Sequence, residues 1–267
     1  MKKRRIKKVN IASLTHYSFL PSVFTLLNLF LGFQALLHII SSKKNFNTAI
    51  YYLMASVIMD GFDGTIARLT KTESNFGVQL DSLVDAVTFG LVTSILLYQW
   101  GFQFGHPQVG KIVSFVFLSA GLIRLARFNV FKDAQAYPAN VFIGMPIPTA
   151  SMAICSIVLV FGNKPPKSTI GVLLFSLAAV LVSLLMISNI KYKTIKRIVL
   201  KNSLKMLFLL ALIIACLVIF PDITLPILSF SYVSSPLFFH LFAKRQKSGP
   251  SAGVERTEGP PAGKTES

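Results

Sequence analysis

Charge is scarce in this sequence. Only 14% of its 267 residues are charged, whereas a soluble domain carries about 25%. With 53% hydrophobic residues and a mean hydropathy of +0.63, that shortage excludes an ordinary soluble domain and points to a polytopic membrane protein. The length leaves room for one membrane domain and no second large one. Cysteine is scarce too. Cys155 and Cys216 both lie in apolar stretches, where they read as small buried hydrophobes. No internal repeat is evident. No small-residue cleavage site follows the first apolar run behind the basic MKKRRIKK, so no cleavable signal peptide is expected. Carboxylates are scarcest of all: ten Asp and Glu stand against 27 Lys and Arg, a net charge of +17. A balance this basic can signal nucleic acid. Here the positive charge gathers in short loops and at the ends, which is a topology and anionic-lipid signal, and no nucleic-acid partner is expected.

A bilayer is crossed by about 20 apolar residues. Eight windows qualify: 17–40, 48–68, 77–101, 110–131, 139–161, 168–190, 203–220 and 223–242. A tight turn at Pro221 and Asp222 separates the last two, which could instead form one broken hairpin. With the N-terminus in the cytoplasm, 22 of the 27 basic residues fall on the inside, as positive-inside orientation requires. The predicted fold class is an all-α polytopic membrane helical bundle of about eight transmembrane helices, both termini cytoplasmic. Residues 1–16 form a basic cytoplasmic segment, and 17–190 the main membrane domain. Residues 191–242 hold a basic amphipathic segment, KYKTIKRIVLKN, and the last two spans. That segment reads either as a helix on the cytoplasmic leaflet or as an ordinary positive-inside loop. The tail, 243–267, is rich in Gly, Pro, Ser and charge and is expected to be disordered.

Four of the ten carboxylates, Asp60, Asp63, Asp81 and Asp85, fall within 26 positions, in two otherwise apolar segments joined by a loop that holds Glu73. Asp60 and Asp63 are three apart and Asp81 and Asp85 four apart, so each pair shares a helix face. The second span runs inward and the third outward. At about 1.5 Å per residue the pairs match in depth, roughly 6 to 12 Å below the cytoplasmic end. Ionised carboxylates in lipid cost roughly several kcal/mol each, and four of them repel one another. Two divalent cations, Mg²⁺ or Mn²⁺, together with phosphate oxygens, would compensate. Gly64 and Ala67 are small enough to let a ligand approach the backbone. Arg68 is the expected partner of a phosphate or carboxylate. Gly77 opens the third span, where free N–H groups are expected to face the cytoplasm.

The string Asp60-x2-Asp63-Gly64-x2-Ala67-Arg68-x8-Gly77-x3-Asp81-x3-Asp85 resembles the signature of the CDP-alcohol phosphotransferase family. The resemblance implies a membrane enzyme in which an alcohol displaces CMP from a CDP-linked lipid. It implies that the four aspartates hold the two cations and that Asp85 is also the base. Gly64, Ala67, Arg68 and Gly77 would hold the CDP moiety, and a homodimer is implied. Ser74, Thr25 and Asn28 match donor-facing positions, although helix capping or packing explains them equally well. Two further stretches, GLIRLARFNVF and FIGMPIPTAS, resemble the phosphatidylserine synthase branch of the family. That branch implies CDP-diacylglycerol and L-serine as substrates, with Arg124, Arg127 and Asn129 near the acceptor. Arginine suits a planar carboxylate, and Pro146 and Pro148 could expose carbonyls to an ammonium group. Glycerol-3-phosphate or inositol phosphate would also want arginines, and an ether-lipid donor stays open. An ion-coupled transporter is a different-class alternative, but its acids are expected near the midplane on broken or repeated helices. The expected location is the cell inner or plasma membrane, with the active site facing the cytoplasm.

Overall fold

The computed structural model describes residues 19–69, 74–103, 105–133, 141–162, 164–193 and 203–247. The basic segment 1–16, most of KYKTIKRIVLKN and the tail from 248 onward lie outside the described residues. Eight helices run through the described chain: α1 (Phe19–Ile40), α2 (Phe46–Leu69), α3 (Asn75–Gly101), α4 (Pro107–Asp133), α5 (Ile147–Phe161), α6 (Thr169–Ile187), α7 (Ser203–Ile219) and α8 (Pro221–Lys247). Each expected span falls on one of them. The stretches Ser22–Ile40, Asn75–Gly101, Pro107–Val130 and Thr169–Ile187 are long and apolar enough to cross a membrane. Side chains on the outside are strongly apolar, among them Phe115, Ile170 and Leu173, each about two-thirds exposed. Such a surface suits lipid and would be a liability in water.

The all-helical architecture holds, with one short addition: β1 (Val141–Ile143) pairs antiparallel with β2 (Lys191–Lys193), Phe142 opposite Tyr192. The fifth span was expected from 139, but α5 starts at Ile147 and has only 15 residues. Gly144 explains the break. Its φ of +75° is a left-handed turn, and a Cβ there would run into the carbonyl of Met186. Pro146 then caps α5 in an extended conformation, and a further proline occupies the first turn, where a missing N–H costs nothing. At the other end of the chain α8 continues to Lys247, past residue 242 where the tail was expected to begin.

Local chemistry sets the helix starts. Ser74 caps α3 by accepting from the Gly77 N–H at 3.0 Å, and Ser168 caps α6 by accepting from the Gly171 N–H at 3.0 Å. Asn45 accepts from the Thr48 N–H at 3.1 Å at the start of α2. Midway along α3 the helix widens into a π-helical stretch, Ala86–Val92, beginning directly after Asp85. Its end is tied to α5 by the Thr93 and Ser151 hydroxyls, 2.6 Å apart. Gly32 of α1 lets that stretch come close, since a Cβ there would lie 2.6 Å from Thr88 Oγ1. The packing hierarchy follows: α1 lies along α2 more extensively than any other pair and also contacts α3, while α4 packs on α6 and α5 on α8. Phe89, Leu96, Phe117, Ile147 and Ile154 form the fully buried centre. Away from the aspartates, Lys44 donates to Gln99 at 2.9 Å and to Gln103, and Trp100 Nε1 donates to the Gly162 carbonyl at 2.7 Å.

Candidate active site

Helical periodicity brings the carboxylates together. Asp60 and Asp63 project from the last turns of α2, and Asp81 and Asp85 from the first half of α3. Oxygens of Asp60, Asp63 and Asp81 all lie within 4.8 Å of one another, a spacing that could hold a metal ion. Asp85, 8% exposed, stands within electrostatic reach of Asp60 and Asp81, and its Oδ1 is buried without a hydrogen-bond partner among the described residues. A buried carboxylate oxygen left this way is costly unless something binds it. All-oxygen donors on two rigid helices suit a hard divalent cation. Thr25 of α1 donates from Oγ1 to Asp63 Oδ2 at 3.0 Å and so fixes one carboxylate from behind. Asn28, one turn further along α1, is fully buried, with neither amide atom hydrogen-bonded among the described residues.

The arginines of α4 part company. Arg124 is 6% exposed, and its guanidinium lies within reach of Asp85, Asp60 and the Tyr232 hydroxyl, and 5.5 Å from the Phe128 ring centroid. It belongs to the aspartate cluster. Arg127 does not. Its Nη2 donates to the carbonyls of Ile143 at 3.2 Å, Met186 at 3.2 Å and Ser188 at 3.1 Å. Its Nη1 donates to the Ile187 carbonyl at 2.6 Å and to Asn189 Oδ1 at 3.3 Å. The guanidinium thus satisfies orphan carbonyls at the C-terminus of α6 and ties that terminus to Ile143, at the end of the strand pair where β2 begins. Asn129 Nδ2 donates to Ser82 Oγ at 3.0 Å, which ties α4 to α3 beside Asp81.

The remaining sequence-derived positions divide similarly. Gly64 is half-buried beside Asp63. Ala67 and Arg68 lie on α2, but their side chains fall outside the described residues. The N–H of Gly77 is not free as expected, because α3 begins earlier and that N–H donates to Ser74 Oγ. The carbonyl of Pro146 itself accepts from the Ala150 N–H at 3.0 Å and from Thr149 Oγ1 at 2.7 Å, as the start of α5 requires. Sequence reading missed the approach of Tyr232 to Arg124. A polar aromatic residue within the last apolar span, just ahead of Ser235 and Pro236, is the signal that could have found it.

Similar proteins bear on this geometry. A CDP-diacylglycerol–serine O-phosphatidyltransferase of Helicobacter pylori is 39% identical over 199 residues, 74% of this chain and 80% of its own. A Bacillus subtilis protein of the same name is 31% identical over 180 residues, 67% of this chain and 93% of its own. One from Methanocaldococcus jannaschii is 34% identical over 168 residues, 63% of this chain and 70% of its own. The CDP-alcohol phosphatidyltransferase family profile matches residues 18–235, from the start of α1 into α8. That match takes in the whole carboxylate cluster and most of the chain, so the protein belongs to the CDP-alcohol phosphatidyltransferase family.

Proposed function

We propose that this chain transfers the phosphatidyl group of CDP-diacylglycerol to the hydroxyl of L-serine, giving phosphatidylserine and CMP. The observation that carries the reading is the meeting of Asp60, Asp63 and Asp81 with Asp85 and Arg124. It occurs in a chain about 40% identical to proteins named for this reaction. The serine oxygen forms a bond to the lipid-linked phosphorus while the pyrophosphate P–O bond breaks and CMP departs. Asp60, Asp63, Asp81 and Asp85 would hold two divalent cations, Mg²⁺ or Mn²⁺, which when bound neutralise the pyrophosphate. Asp85 takes the hydroxyl proton, being buried with one carboxylate oxygen unbonded. Thr25 keeps Asp63 oriented. Arg124 holds the serine carboxylate, its buried guanidinium lying within electrostatic range of Asp85. Arg127, engaged with carbonyls, acts on the acceptor only by holding the fold around it. Gly64, Ala67, Arg68, Ser74, Gly77 and Asn28 would hold the CDP moiety, as their places in the family signature and in α1 imply. Little covalent work falls to the protein; positioning and charge complementarity do most of it. A homodimer in the inner or plasma membrane, with the site facing the cytoplasm, completes the reading.

The test is incubation of purified protein with CDP-diacylglycerol and a panel of alcohols, following CMP. Serine-dependent release that chelation abolishes and Mg²⁺ or Mn²⁺ restores is expected. Release with glycerol-3-phosphate or inositol phosphate but not with serine would overturn the acceptor while leaving the family intact. No release with any alcohol would overturn the reaction.

A further inference from the structure

α3 and α4 are the arms of an antiparallel hairpin, and three contacts give its register. Gly110 faces Tyr98, where a Cβ would lie 3.0 Å from Cδ2, and Gly90 faces Leu118, where one would lie 3.3 Å from Cδ1. Ser82 then meets Asn129: the hydroxyl donates to Oδ1 at 3.2 Å and accepts from Nδ2 at 3.0 Å. A hydroxyl that both donates and accepts completes this pair in either orientation of the amide. Asp85 stands five residues from Gly90 and three from Ser82; Arg124 stands six from Leu118 and five from Asn129. Each is a little over halfway from the Gly90 level to the Ser82 level, so the hairpin register sets them at similar depth. Both are buried. α4 packs on the π-helical stretch and on α3 beyond it, whereas the first half of α3, which carries the aspartates, packs chiefly on α1. Where the backbones of α3 and α4 thus part, a reciprocal pair of side-chain hydrogen bonds ties them together.

We propose that Ser82 and Asn129 are positioning residues: their reciprocal hydrogen bonds set the span between Asp85 and Arg124, and so select an acceptor whose hydroxyl and carboxylate match that span. The assignment rests on the reaction proposed above and deepens it. It gives Asn129 a positioning role in place of the acceptor contact expected from the sequence, and it adds Ser82, which lies between two aspartates of the signature without belonging to it. In that reaction the acceptor hydroxyl goes to Asp85 on one arm and its carboxylate to Arg124 on the other. Their separation is then fixed by whatever holds the arms. Misplacing reacting groups by about 1 Å costs up to about 10²-fold in rate, so a loosened tie is felt at the acceptor. The CDP-linked lipid does not bridge the two arms in this way and should not register the change.

The experiment compares L-serine with L-homoserine, which has one more methylene between hydroxyl and carboxylate. Both are assayed in wild type, Ser82→Ala, Asn129→Ala, the double variant and Ser82→Thr. Alanine is a better helix former than serine, so this half-buried position should tolerate it. Ser82→Ala should lower kcat/KM for serine about 10- to 100-fold, with the CDP-diacylglycerol KM unchanged. The preference for serine over homoserine should shrink, because the span is no longer held. Asn129→Ala should lose a similar amount, and the double variant no more than either alone, since each change breaks the same tie. Ser82→Thr keeps the hydroxyl and should recover most of the loss. A lower melting temperature with unchanged serine kcat/KM and unchanged preference in Ser82→Ala overturns the assignment while the reaction stands. So do losses that multiply in the double variant, which would place Asn129 on the acceptor itself. Wild-type protein that ignores serine but consumes another alcohol overturns the reaction and the assignment together, and the wild-type measurement alone tells these failures apart.

Discussion

Arg127→Ala tests whether this arginine is a clasp or a ligand-binding group. Its Nη2 carries two N–H groups but faces three carbonyls, those of Ile143, Met186 and Ser188, at 3.1–3.2 Å. At most two full bonds can count on that nitrogen. The Nη1 contacts to Ile187 and Asn189 face solvent and receive no weight. A charged donor to a neutral acceptor is worth about 1.5 kcal/mol or more, so the loss is about 3 kcal/mol. For a chain of this size that corresponds to a melting temperature roughly 6–12 °C lower. Thermal unfolding of the detergent-purified protein, with no substrate present, is the assay. Arg127→Lys should recover only part of the loss, since an ammonium cannot fork between Ile143 and Ser188. A ligand-binding arginine would leave the substrate-free protein as stable as before. An unchanged melting temperature in Arg127→Ala would therefore refute the clasp.

Arg124→Ala should raise the serine KM by about 10- to 150-fold, the loss of one charge-assisted hydrogen bond, while the CDP-diacylglycerol KM stays put; two-substrate kinetics read both. Asp85→Asn keeps the shape but cannot take a proton, so CMP release should fall by about 10²–10⁴-fold, or further where cation binding is also weakened. Wild-type turnover by the correctly folded variant would contradict this. Thr25→Val removes the 3.0 Å donor to Asp63 and should weaken divalent-cation affinity about 10- to 100-fold, measured directly by Mn²⁺ electron paramagnetic resonance titration. Gly32→Ala would place a Cβ 2.6 Å from Thr88 Oγ1 and should cost about 1–3 kcal/mol, visible as a lower melting temperature.

What the sequence could disclose was local. The offsets of three and four between aspartates translate directly into shared helix faces, and Asp60, Asp63 and Asp81 do converge. Hydropathy windows found a helix behind every span but misjudged the fifth. There, Val141–Ile143 is as apolar as a helix yet pairs with Lys191–Lys193, some fifty residues away. Nothing in the side-chain pattern advertises that pairing. It depends on the left-handed Gly144 and the proline that follows, which turn the chain off β1 before α5 can start. The π-helical stretch Ala86–Val92 was equally hidden, because an inserted residue changes the hydrogen-bonding register without changing composition.

The two arginines of GLIRLARFNVF show where spacing stops being informative. Three residues of helix separate Arg124 from Arg127 by about 4.5 Å of rise and about 60° of rotation. For a small side chain such neighbours share a face. For a guanidinium on a long stem, the same offset decides between two different elements. Arg124 is buried within electrostatic range of Asp85 on α3; Arg127 turns toward α6 and meets the carbonyls of its final turn. Those acceptors are backbone atoms, which every residue carries and no sequence displays. The same holds for Tyr232, placed beside Arg124 by the packing of α8 on α5 and on β2. The aspartates of a transferase can be read from the order of residues because two adjacent helices supply them. Arg124 of α4 and Tyr232 of α8 lie more than a hundred residues apart in the chain, so their electrostatic coupling becomes visible only once the chain has folded.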